Sequence, residues 1–143
     1  MPKILLVGIE APIRLICRFN LEQAGMEVFE ASDGLGGLEE ARRGTPDLVL
    51  LDVMIPGLDG WTVAGRLLDD PVTHDIPIVF LTTRSEFRDR AKGFDVGAVD
   101  YITMPFDPLS LGARIRDLLD RIDKGEREQL RREKLADLRA RLA

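Results

Sequence analysis

Cysteine is nearly missing from this chain of 143 residues. The one present, Cys17, has no partner within the chain, so a disulfide framework is excluded and a reducing compartment suits the protein. Long apolar runs are missing too. None approaches the roughly 18–20 residues that cross a bilayer as a helix. The run in the N-terminal stretch MPKILLVG is also too short for a signal peptide. Positive charge is not in excess: 20 Lys and Arg stand against 25 Asp and Glu, for a formal net charge of −5. That balance argues against a dedicated nucleic-acid binder in this segment.

What remains is an ordinary globular composition, 45% hydrophobic and 31% charged, on a chain long enough for one domain with a real core. A cytoplasmic location is expected. Five short apolar runs recur at regular intervals: ILLV (4–7), MEVFEA (26–31), LVLLD (48–52), IVFLT (78–82) and DYIT (100–103). Three of them, 4–7, 48–51 and 78–81, are apolar on consecutive residues. That is the pattern of strands covered on both faces, as in a parallel sheet.

Helix-like stretches lie between the runs. Residues 12–24 open with Pro12 and stop before Gly25, residues 35–43 stop before Gly44, and residues 59–69 stop before Asp70-Pro71. Residues 85–93 and 107–123 complete the set. Strand and helix alternating five times predict right-handed crossovers and a doubly wound α/β sandwich.

The end of the chain differs. From Glu126 to Ala143 there are six basic and four acidic residues, a net +2, which leaves −7 on residues 1–125. Leu111, Ile115, Leu118 and Ile122 give the last helix of the domain one apolar stripe. Gly125 interrupts it. Leu135, Leu138 and Leu142 resume a 3, 4 spacing, but Gln129 and Arg132 fall where the first stripe would continue. Two short registers do not make a coiled coil. Residues 124–143 therefore read either as a solvated helical tail or as a linker helix or dimerisation stub leading to an output domain. Residues 1–123 read as the domain proper.

In a doubly wound sheet, function sits at the carboxyl ends of the central strands. Those ends carry Gly8-Ile9-Glu10, then Asp52 inside PDLVLLDVMIPGLDGW, then Thr82-Thr83, then Thr103-Met104-Pro105-Phe106. With KILLVGIE, IPIVFLTTR and GAVDYITMPFDP in this order and at these distances, residues 1 to about 123 resemble the receiver domain of two-component response regulators. The resemblance implies a flavodoxin-like fold: a five-stranded parallel sheet, strand order 2-1-3-4-5, with five helices, to which the tail adds a C-terminal helical extension.

The family's chemistry is phosphoryl transfer to an aspartate. A transferring phosphoryl group carries spread negative charge, and cations beside it supply most of the stabilisation. The resemblance assigns the acceptor position to Asp52 and the switch positions to Thr82, for its hydroxyl, and Tyr101, for its ring. The acidic pair that would hold magnesium falls on Gly8 and Ile9, and the pocket lysine on Met104. Glu10 is left as a possible residual acid, or as a charge at a helix N-terminus. Magnesium demands an octahedron of oxygens, so its binding is expected to be lost or weak, and no cofactor is expected. The family's cis peptide before Pro105 is expected here as well.

Plainer readings accompany these. Asp52 can be a hydrogen-bonded carboxylate at a strand end, Thr82 a partner of a neighbouring loop, and Tyr101 a fixed, half-buried aromatic. His74 is expected exposed, Cys17 in the core, and Trp61 as a packing residue. The functional expectation is a non-enzymatic regulator of two-component signalling, a pseudo-receiver. It would act on a protein partner, or on itself as a homodimer, through the face made by residues 85–123, with no membrane and no nucleic acid contacted by this segment. Two alternatives stay open: the regulatory part of a larger regulator with an enzymatic or DNA-binding output, and a working receiver phosphorylated on Asp52 in an atypical pocket.

Overall fold

The computed structural model describes residues 1–55, 57–82, 98–103 and 106–142. Five strands, β1 (Lys3–Val7), β2 (Glu27–Ala31), β3 (Leu48–Asp52), β4 (Ile78–Thr82) and β5 (Asp100–Thr103), form one parallel sheet in the order β2-β1-β3-β4-β5. Among the described residues the helices are α1 (Ala11–Gln23), α2 (Gly34–Gly44), α3 (Gly60–Asp69), α4 (Leu111–Asp123) and α5 (Arg127–Leu142), with a 3₁₀ turn, Pro108–Ser110, ahead of α4. The expected helix at 85–93, Thr83, Met104, Pro105 and the peptide bond before Pro105 lie outside the described residues. No helix among the described residues is long and apolar enough to cross a membrane.

The consecutive apolar residues of β1, β3 and β4 are explained by two-sided burial. Ile4, Leu6, Leu48, Leu50, Val79 and Leu81 face one layer, where Cys17 and Leu21 of α1 and Leu111, Ile115 and Leu118 of α4 pack. Leu5, Val7, Val49, Leu51, Ile78 and Phe80 face the other, against Ala41 of α2 and Val63, Ala64 and Leu67 of α3. Pleating sends alternate side chains to opposite faces, so a strand covered on both faces has no polar position to spare. Cys17 is fully buried, and burial pushes its thiol up to about 11.

Helix ends follow local chemistry. Pro12 sits in the first turn of α1. Asp33 caps α2 by accepting from the Gly36 N–H at 2.7 Å, and Asp59 caps α3 by accepting from the Thr62 N–H at 2.8 Å. The sequence pattern placed Asp59 inside α3, but as the cap it stands just outside. The pattern also ran one helix over 107–123. Instead Asp107 caps the 3₁₀ turn opened by Pro108, and α4 starts at Leu111.

Gly60 decides how α3 meets the carboxyl edge of the sheet. At Gly60 a Cβ would come within 2.6 Å of the Asp52 carbonyl oxygen and 2.7 Å of the Val53 Cα. The Gly60 N–H donates to the Val53 carbonyl at 2.9 Å. Both neighbours are backbone, so α3 can seat against the end of β3 only with glycine there. Gly60→Ala is expected to lower unfolding stability by about 1–3 kcal/mol, as overpacking does, read as a lower urea midpoint at unchanged m-value.

Candidate functional site

The register of the sheet levels the strand ends that matter. Val7 pairs with Leu51, Asp52 with Leu81, and Thr82 with Thr103. The turn after β1, the carboxylate ending β3 and Thr82 ending β4 therefore share one edge of the sheet. This is the crevice where doubly wound folds place their chemistry.

Gly8 leaves β1 with a φ of +72°, in the left-handed region, and its N–H donates to the Ala31 carbonyl at 2.9 Å. A Cβ at Gly8 would lie 1.9 Å from Cγ2 and 2.8 Å from Cβ of Ile55. The loop after β3 thus lays the Ile55 side chain over the space that a side chain at position 8 would occupy. Ile9 is 3% exposed and belongs to the layer of Leu6 and Cys17. Sequence reasoning set Ile9 against the metal position, but its side chain is part of the core, and Ile55 is the residue lying over Gly8.

Glu10 is exposed and stands at the N-cap of α1, where its side chain makes no capping bond. Arg14 is held by the Ile9 carbonyl at 3.4 Å and Glu30 at 3.5 Å. A cavity of about 560 Å³ opens at this turn, bounded in part by Ile9, Glu10, Val53, Met54 and Ile55.

Asp52 is half-buried, and its Oδ1 accepts from the Met54 N–H at 2.9 Å, an Asx-type bond that shapes the loop carrying Ile55. Tyr101 is buried more deeply than expected, at 2% exposure. Its ring stacks on Phe80 at a centroid distance of 5.5 Å, and Trp61 packs on the same Phe80 at 4.6 Å. Trp61 is therefore a packing residue that touches the Tyr101 neighbourhood. His74 lies in the loop before β4, about half exposed, 3.3 Å from Asp75. Among the described residues, no group of three or more His, Cys, Asp or Glu side chains could hold a metal ion.

The sequence profile of the response regulator receiver domain matches residues 4–116. The chain belongs to this family. The receiver is 44% identical over 124 residues to the DNA-binding dual master transcriptional regulator RpaA of Synechocystis sp., covering 87% of this chain and 52% of that protein. It is 45% identical over 120 residues to the phosphate regulon transcriptional regulatory protein PhoB of Escherichia coli, covering 84% and 52%. The chain spans about half the length of these curated relatives. Among solved structures it is similar to the chemotaxis response regulator CheY4 of Vibrio cholerae, with a TM-score of 0.76 and 29% identity over 82% of this chain and 98% of that one. A response regulator receiver domain protein from Clostridium thermocellum gives a TM-score of 0.77 at 25% identity, over 86% and 98%. The receiver fold and strand order expected from the motifs are those observed.

Ile55 is the site residue that sequence reasoning missed. It lies inside the quoted PDLVLLDVMIPGLDGW, but nothing in one sequence ties it to Gly8, and only paired variation between the two positions would. The contact is testable in receiver stability. Gly8→Ala is expected to destabilise by about 1–3 kcal/mol. In an Ile55→Ala background the cost shrinks, with a coupling of about 0.5–3 kcal/mol in a double-mutant cycle. Additivity of the two substitutions would mean that the side chains do not meet.

Proposed function

We propose that this receiver works as a protein-interaction or dimerisation module of two-component signalling in the cytoplasm, and that its pocket does not run the magnesium-dependent phosphorylation of Asp52. The observation that carries this reading is the Ile55 side chain over Gly8. Magnesium takes six oxygens at near-ideal octahedral angles and keeps several waters. The turn offers it backbone carbonyls, the single strand-end carboxylate of Asp52 and the exposed Glu10, with an aliphatic side chain over Gly8. This donor set does not fit the ion.

The resemblance adds Met104 at the position of the pocket lysine, a thioether that cannot neutralise a phosphoryl oxygen. Losing acids and base together avoids stranding a buried charge. In this reading Asp52 keeps a structural task, holding the loop after β3 through the Met54 N–H. Thr82 and Tyr101 stand at switch positions without the usual trigger. The face used is the one spanning residues 85–123, of which β5 and α4 are described.

A second reading is compatible with the first. RpaA, PhoB and the transcriptional activator protein IrlR of Burkholderia pseudomallei are transcriptional regulators by name, and the chain spans only about half of each. We infer that the receiver is the regulatory half of a larger, non-enzymatic regulator with a DNA-binding output.

Incubation with acetyl phosphate and magnesium, followed by intact mass and Trp61 fluorescence, tests the first reading. The expected result is an unchanged mass and a flat fluorescence titration. A stoichiometric phosphoryl adduct on Asp52 would overturn it and restore the working receiver with an atypical pocket.

A further inference from the structure

The C-terminal helix does not project into solvent. Gly25's counterpart at the other end of the domain, Gly125, takes a φ of +80° just past α4, and the Glu126 N–H donates to the Arg121 carbonyl at 2.9 Å. The chain reverses there, and α5 runs back along α4 and β5. Arg121 reaches both Glu126 at 3.1 Å and Glu133 at 2.7 Å. Leu130 is 6% exposed and joins the layer of Leu118. Lys134 places its Nζ 2.8 Å from Oδ1 of Asp100, the first residue of β5. Among the described residues β5 pairs with β4 alone, so α5 lies along the outer edge strand of the sheet.

The way α5 is held is unlike the way the other helices are held. It lacks a continuous apolar stripe: Leu130 is its one buried described residue, Leu135 packs partly buried against the other layer, and Arg127 donates to the Asp75 carbonyl at 2.6 Å. The buried carboxylate of Asp100 has two cationic partners. Arg114, from α4, donates to Oδ2 through Nε at 3.0 Å and through a terminal nitrogen at 2.9 Å. The Tyr101 N–H also donates to Oδ1 at 2.8 Å. If Lys134 withdraws, Asp100 still keeps an ion pair and a backbone hydrogen bond. The usual obstacle to breaking a buried pair, an uncompensated charge left behind, is therefore removed. A groove of about 310 Å³ already separates α4 from α5, between Asp117, Leu118 and Arg121 on one side and Leu130 and Glu133 on the other.

We propose that α5 is a detachable cover on the β5–α4 face, leaving as a unit from an intact receiver and uncovering a strip that carries Asp100, Asp117, Arg114 and Arg121 beside Leu118. Both charge signs on one strip suit a second copy related by a two-fold axis, so the covered surface and the self-association surface are the same. That last step rests on the reading of this face given above, and the test separates the two.

Lys134→Glu and Leu130→Asp are made separately in the full chain. Each is followed by hydrogen exchange and by sedimentation velocity. Amides of α5 and β5 are expected to exchange about tenfold faster or more in both variants, while those of β1 and β3 keep their protection. Unchanged protection of α5 in both variants overturns the cover, and so does loss of protection spreading together through β1 and β3, which would make α5 an integral part of the domain. Where α5 is freed, a rise in sedimenting mass supports self-association through this face. An unchanged mass counts against that reading of the face alone and leaves the cover standing.

Discussion

Everything at the carboxyl edge depends on the central strands being buried on both faces. Leu48, Val49, Leu50 and Leu51 are all fully buried, as are Ile4, Leu5 and Leu6 beside them. Each such side chain is worth about 1.5–3 kcal/mol of burial, and a slip of one residue would exchange the two layers completely. The register is therefore rigid, and so are the positions of Gly8, Asp52 and Thr82 beyond it. With the frame fixed, the properties of the edge depend on which side chains the loops bring to it. Here they bring Ile55 over Gly8.

That division explains how much could be read from the sequence. The strands were legible because two-sided burial writes itself as consecutive apolar residues, and the helices because Pro12, Gly25, Gly44 and Pro71 mark their ends. The edge residues were legible by position, since Asp52 and Thr82 end their strands. What was not legible depends on contacts through space. Asp59 and Asp107 cap rather than begin helices because their side chains turn back onto backbone N–H groups. Ile9 faces the core and Ile55 faces Gly8 because of the backbone path through two turns, which no periodicity encodes. Tyr101 is more deeply buried than a strand-end aromatic suggests because Phe80 and Trp61 close over it.

The tail shows the same limit from another side. Its leucines are out of phase with those of α4, which argued for a helix with no fixed seat. The seat is built from contacts between elements far apart in sequence: Lys134 against Asp100, Arg127 on the Asp75 carbonyl, and Leu130 and Leu135 on the two core layers. Asp100 is the shared point of the domain's edge: it joins β5, α4 and α5 through one carboxylate. The receiver thus carries a turn after β1 with an aliphatic side chain over Gly8 and a β5 edge lined by its C-terminal helix.

The central proposal is that the turn after β1 does not form a magnesium site. The most direct measurement is a magnesium titration followed by ¹⁵N–¹H correlation spectra of the full chain. The amide resonances of Gly8, Glu10, Asp52 and Met54 are predicted to stay in place through millimolar magnesium. Saturable shifts at Gly8–Glu10 and Asp52 together, with one apparent affinity, would contradict the account.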